Sequence, residues 1–137
     1  MTIELSMLAW SSVLLIVLIM TSANANLATM GMAWGIGNRD EPSAATGWGA
    51  RARRTYLNHL ENLVIFGLLV IVAHLTNVHS GLTVMGAQLF LGARIVYAAL
   101  YIAGVSTMGV RTLAYFVGLV GTLMIAYAVL TAAPVAA

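Results

Sequence analysis

Apolar residues gather in four long runs along the chain, covering roughly residues 5 to 30, 54 to 75, 82 to 103 and 112 to 132. Each run has about 20 residues or more. At about 1.5 Å per residue, a helix of that length crosses the roughly 30 Å hydrocarbon layer of a bilayer. None shows the strict two-residue alternation of a membrane barrel strand. The pattern therefore predicts an all-α integral membrane protein, a single bundle of four transmembrane helices occupying residues 1 to 137. The first run ends in SANAN, which has the form of a signal-peptidase site. Its leading MTIEL carries no positive charge, so the run reads as a retained first span.

The breaks between runs are unequal. GIGNRDEPSAATGWGARAR is the one long connection, a loop over about residues 35 to 50 rich in turn formers. Trp34 and Trp48 flank it and suit headgroup depth. Arg39, Arg51, Arg53 and Arg54 lie in or beside this loop, and Arg111 lies beside the third connection. The N-terminus, the TNVHSG connection and the C-terminal end carry no lysine or arginine. By the positive-inside rule, loops 1 and 3 are expected in the cytoplasm and both termini outside. In a bacterium that means the inner membrane, with periplasmic termini.

Composition sharpens the chemistry. The chain is 61% hydrophobic and 7% charged, a balance that belongs to a bilayer. It has no cysteine, which excludes disulfides, thiolate metal sites and a cysteine nucleophile. A net charge of +2 with no basic run outside residues 51–54 gives no footprint for nucleic acid.

Two ionisable residues fall inside the predicted spans, Glu61 in the second and Arg94 in the third. Each lies roughly 10–15 Å from the arginine-bearing surface by helical rise. Equal depth, and the high cost of a lone charge in hydrocarbon, predict that they pair. Arg54, Asn58 and Glu61 are spaced i, i+4, i+7 and share one helix face; Arg94, Tyr97 and Tyr101, at i, i+3, i+7, share another. Two polar stripes about 10 Å long result, with room between them for an elongated polar ligand such as an extended tripeptide. The second and fourth spans both start on the arginine side, so their positive dipole ends and Arg54 and Arg111 together favour an anion. Two further readings stand beside this one: Arg51 and Arg53 as topology markers touching lipid phosphates, and the whole network as polar glue that ties helices together and binds nothing. His59 is expected at the interface, off the Arg54 face. His74 and His79 are expected near the opposite end with no metal role. Ala99 and Ala103, at i, i+4, are candidates for close helix contact.

In RRTYLNHLENLVIF (53 to 66), GARIVYAALY (92 to 101) and RTLAYFVG (111 to 118), the chain resembles the MAPEG family, the membrane-associated proteins in eicosanoid and glutathione metabolism. The R-x-x-x-N-x-x-E and R-x-x-Y-x-x-x-Y stripes are similar to its microsomal glutathione transferase branch. The resemblance implies a homotrimer of four-helix subunits, with glutathione as co-substrate bound between neighbours near the cytosolic face. It implies that Arg54, Asn58 and Glu61 hold the glutathione backbone and that Arg94, Tyr97 and Tyr101 line the facing helix. It places Arg111 beside the thiol and Tyr115, one turn on, within reach of the same sulfur. A guanidinium and a helix N-terminus would stabilise the thiolate, and the second substrate would be an apolar electrophile or lipid hydroperoxide from the bilayer. The family also includes members that bind lipids or partners and catalyse nothing. A non-catalytic lipid-binding protein, or an accessory subunit of a larger membrane complex, is therefore the alternative expectation.

Overall fold

The computed structural model describes residues 1–106 and 109–132. Thr107 and Met108, in the connection between Tyr101 and Arg111, and residues 133–137, whose expected place is outside the membrane, lie outside the described residues. Helix α1 spans Ile3–Met30 and is capped by the Thr2 side chain, which accepts from the Leu5 N–H at 3.3 Å. It stops at Gly31, whose φ of 82° suits glycine. A short α2, Met32–Ile36, follows. Helix α3 runs Gly47–Leu75, α4 Gly81–Ala103 and α5 Val110–Thr131. The structure differs from the sequence expectation at α3, which starts at Gly47 rather than near residue 54. Residues 51–54 thus lie inside the helix, because Gly and Ala between Thr46 and Arg51 do not stop helical hydrogen bonding once it begins. The four long helices are all long and apolar enough to cross a membrane.

Local signals explain the α4 boundaries. Ser80 and Thr83 form a reciprocal capping box at its start. Gly104 adopts the left-handed conformation at its end, φ 78°, and its N–H returns to the last turn. The Arg51 guanidinium closes the same end by donating from Nε to the Ile102 carbonyl at 3.1 Å. Arg51 is therefore more than a topology marker: it places positive charge at a helix C-terminus, where the dipole favours it.

The chain runs up and down, with α5 packed chiefly on α4 and α1 on α3. Phe66 of α3 stacks on Phe90 of α4 at 3.9 Å between ring centroids, and Val70, Ala87 and Ile125 complete a buried cluster around them. Close approach of α4 and α5 comes from Gly86 and Gly121. A β-carbon on Gly121 would stand 2.5 Å from the Gly86 carbonyl oxygen and 2.9 Å from the Phe90 nitrogen. Ala99 and Ala103, the expected contact pair, are both exposed. The helices touch where both lack a side chain, about four turns nearer the α4 N-terminus.

At the end opposite the arginines, the α1 residue Glu4 is 3% exposed. Its Oε1 accepts from the Thr83 hydroxyl at 2.6 Å and meets His79 Nδ1 at 3.3 Å, and His79 packs edge-on to His74 at 5.6 Å. This carboxylate fastens the start of α1 to the α3–α4 turn. Glu4→Ala is expected to cost about 1–3 kcal/mol, the range for losing a buried charged hydrogen bond, read as a lower melting temperature in detergent. An unchanged melting temperature would show that the contact does not stabilise the bundle.

Candidate functional site

Burial along α3 separates two faces. Ala52, Thr55, His59, Leu63, Phe66 and Val70 point inward at helical spacing. Arg54 and Glu61 are exposed, and Asn58 is half-buried between the two faces. The face that carries Arg54, Asn58 and Glu61 is thus a real helical stripe, and it begins at the rim of the core.

Arg94 reaches that rim from α4. It is 2% exposed. Its Nη2 donates to Asn58 Oδ1 at 2.7 Å and its Nε donates to His59 Nδ1 at 3.2 Å. The expected Glu61–Arg94 pair does not form within this chain. Glu61 makes no hydrogen bond or ion pair among the described residues, because it points to the outside of α3 while Arg94 points to the inside. The depth match held two residues at one level on different sides of the helix. His59 is likewise not interfacial but 1% exposed. Its Nε2 lies 2.9 Å from the Ser11 carbonyl of α1. A carbonyl only accepts, so Nε2 carries the hydrogen and the bare Nδ1 accepts from Arg94. Three helices are joined in series: α1 at Ser11, α3 at His59 and α4 at Arg94.

From Arg94 a stack of rings climbs toward the end of α4. The Arg94 guanidinium carbon lies 4.7 Å from the Tyr97 ring centre, and Tyr97 stacks with Tyr101 at 5.6 Å. Arg111 of α5 caps the column, its guanidinium carbon 4.3 Å from the Tyr101 ring. Tyr115, one turn beyond Arg111, is 6.3 Å from Tyr97. The spacing of Arg94, Tyr97 and Tyr101 produces this directly, since i, i+3 and i+7 stand above one another on a helix. Two cations face two phenol rings, an arrangement that holds each guanidinium plane by cation–π attraction. Among the described residues no side chain caps α5, whose first-turn N–H groups add to the positive potential beside Arg111.

The structure therefore gathers Asn58, Arg94, Tyr97, Tyr101, Arg111 and Tyr115 into one array and leaves Arg54 and Glu61 on the outward face of α3. Arg54 shares a polar cavity of about 500 Å³ with Arg53, Asn26 and Ser43, within the size range of small-molecule sites. Among the described residues the only carboxylate within ion-pair distance of a basic side chain is Glu4, beside the His79 ring at the far end. Among those residues Arg54, Arg94 and Arg111 have no carboxylate in contact, and the buried Arg94 Nη1 has no hydrogen-bond partner. A buried or membrane-embedded cation without an anion is costly, so this end of the bundle is electrostatically suited to an anion. Among the described residues no group of three His, Asp or Glu side chains is placed to hold a metal ion.

Sequence reasoning missed His59 as part of the array. Its signal was present: it sits four residues after Thr55 and four before Leu63, on the apolar stripe of α3. Comparison with known proteins gives one clear result. No curated protein and no solved structure matches the chain. The model of the MAPEG family matches residues 7–131, nearly the whole of it. With four membrane-length helices and a family match across all of them, the chain belongs to the MAPEG family, integral membrane proteins of eicosanoid and glutathione metabolism.

Proposed function

We propose that this protein binds glutathione between neighbouring copies and uses it as a thiolate against apolar electrophiles or lipid hydroperoxides that enter from the bilayer. The observation that carries the reading is the set of arginines at one end with no carboxylate in contact among the described residues. Glutathione is an anionic tripeptide with carboxylates and an ammonium. Arg54 and Arg111 suit its negative groups, and Glu61 suits its ammonium. Asn58 gives its oxygen to Arg94 and keeps its amide N–H groups for a ligand backbone. Arg111 and the α5 N-terminus stabilise the sulfur as thiolate, lowering the thiol pKa, and the Tyr115 hydroxyl donates to the same sulfur. Against an electrophilic carbon the thiolate forms the S–C bond and expels the leaving group. Against a hydroperoxide it attacks the terminal oxygen, breaks the O–O bond and releases the alcohol, and a second glutathione converts the resulting sulfenic acid to disulfide and water. This chain supplies charge and orientation and no covalent step of its own.

A homotrimer fits this reading. Arg54 and Glu61 face outward from a helix of membrane length, and charges facing lipid are costly, so a second copy covers them. The arginine end lies in the cytoplasm, with loops 1 and 3, and the N-terminus lies outside. The branch within the family is that of the microsomal glutathione transferases. The second reading, a non-catalytic lipid-binding or accessory subunit, draws support from Arg94, whose bonds to Asn58 and His59 are the polar glue that joins helices.

Equilibrium binding of labelled glutathione to the purified protein in detergent, followed by a conjugation assay with an aryl halide, separates the two. Saturable binding with product formation supports the enzyme; saturable binding without product supports the accessory reading; no binding rejects the glutathione site. Because Glu61 bonds to nothing among the described residues, Glu61→Gln is expected to leave the melting temperature of the subunit within a degree or two and to weaken glutathione binding about tenfold, the loss of one charged contact. A large fall in stability with unchanged binding would assign Glu61 to packing instead.

A further inference from the structure

The inner end of the aromatic column rests on a residue that the glutathione reading does not use. His59 is 1% exposed and has both ring nitrogens engaged, Nε2 to the Ser11 carbonyl of α1 and Nδ1 to the Arg94 Nε–H. The Ser11 carbonyl fixes which nitrogen carries the hydrogen, and this choice makes Nδ1 an acceptor aimed at Arg94. Arg94 has no carboxylate in contact among the described residues, so two neutral acceptors, His59 and Asn58, set the plane of its guanidinium. That plane supports Tyr97, which stacks on Tyr101, on which Arg111 lies. Helix α1 carries none of the proposed ligand-binding side chains, yet through Ser11 and His59 it is mechanically joined to them.

We propose that His59 is the positioning residue of the site. It holds Arg94 in the one orientation that lets the Tyr97–Tyr101–Arg111 column meet glutathione with both guanidinium ends fixed. The proposal rests on the glutathione reading and extends it to a residue that does not touch the ligand. If His59 were only a packed ring, any isosteric apolar residue would serve. If it orients Arg94, the acceptor at the Nδ1 position is what matters, and an asparagine, whose Oδ1 reaches the same point, replaces it.

Two variants and two readouts test this. His59→Leu keeps the bulk and removes the acceptor; His59→Asn keeps the acceptor. Glutathione affinity is measured by equilibrium binding, and exchange of the Arg94 Nε–H is followed by NMR of ¹⁵N-arginine-labelled protein in detergent. The expected result is about tenfold or greater loss of affinity in His59→Leu, the loss typical of a charged hydrogen bond, with affinity kept within about threefold in His59→Asn. The Arg94 Nε–H exchanges slowly in wild type and His59→Asn and quickly in His59→Leu. Equal affinity and equal protection in wild type and His59→Leu would overturn the proposal, as would equal losses in both variants. Should His59→Leu not fold, His59→Asn decides alone: slow exchange and retained affinity support the role, fast exchange rejects it. Should wild type bind no glutathione, the functional reading falls by itself, and the exchange measurement still decides whether His59 orients Arg94.

Discussion

Replacing Arg111 with leucine is expected to lower kcat/KM for conjugation by about 10²- to 10³-fold, the cost of removing one preorganised donor from a developing or stabilised anion. The expectation comes from where Arg111 stands. It is the second residue of α5, on the same turn as the helix's first N–H groups, and it lies against the Tyr101 ring at 4.3 Å. Both features concentrate positive potential at one point, and neither contributes much to folding. The stacking contact is worth about 0.5–1 kcal/mol at a partly exposed site, so the melting temperature should hardly move. Arg111→Lys should be intermediate, because an ammonium keeps the charge but loses the planar face that stacks on Tyr101. Steady-state kinetics with an aryl halide electrophile, set beside thermal melts, checks the split. A variant that loses stability and activity together would place Arg111 in the bundle rather than in the chemistry.

The second large effect is on stability. Gly121→Leu is expected to prevent folding of the bundle. The first added carbon already stands 2.5 Å from the Gly86 carbonyl and 2.9 Å from the Phe90 nitrogen, both backbone atoms that cannot swing away. The helices must separate, and the cluster of Phe66, Phe90 and Ile125 opens with them. Gly121→Ala should cost about 1–3 kcal/mol, the usual range for overpacking a tight core, and leucine more. Gly92 is the internal control: a β-carbon there meets nothing within 4 Å. Gly92→Ala should therefore be neutral or stabilising by up to about 1 kcal/mol through helix propensity. Melting curves and size-exclusion profiles in detergent make the comparison. If Gly121→Ala melts like Gly92→Ala, the α4–α5 crossing is looser than described.

The four spans were legible because the bilayer imposes length and apolarity on every helix that crosses it, and these are properties of single segments. The polar stripes were legible for a similar reason: Arg94, Tyr97 and Tyr101 stack because of spacing along one helix. What failed were statements about two helices at once. Depth along the membrane normal can be counted from sequence, but rotation about a helix axis cannot. Glu61 and Arg94 matched in depth and missed in rotation, and Asn58 and His59 took the place expected for Glu61. Ala99 and Ala103 satisfied a rule of small residues, yet the α4–α5 contact falls at Gly86 and Gly121, where two backbones rather than two side chains meet. Glu4 escaped because it precedes the apolar run that defined the first span. Its partners, Thr83 and His79, lie 79 and 75 residues away in sequence.

The central claim is that the arginine end of this bundle holds glutathione as a thiolate, and an ultraviolet difference spectrum tests it most directly. Glutathione added to purified wild-type protein in detergent at neutral pH should produce a saturable thiolate absorbance. The same addition to Arg111→Leu should produce binding with little or no thiolate. Absence of thiolate absorbance with wild-type protein at saturating glutathione would contradict the account.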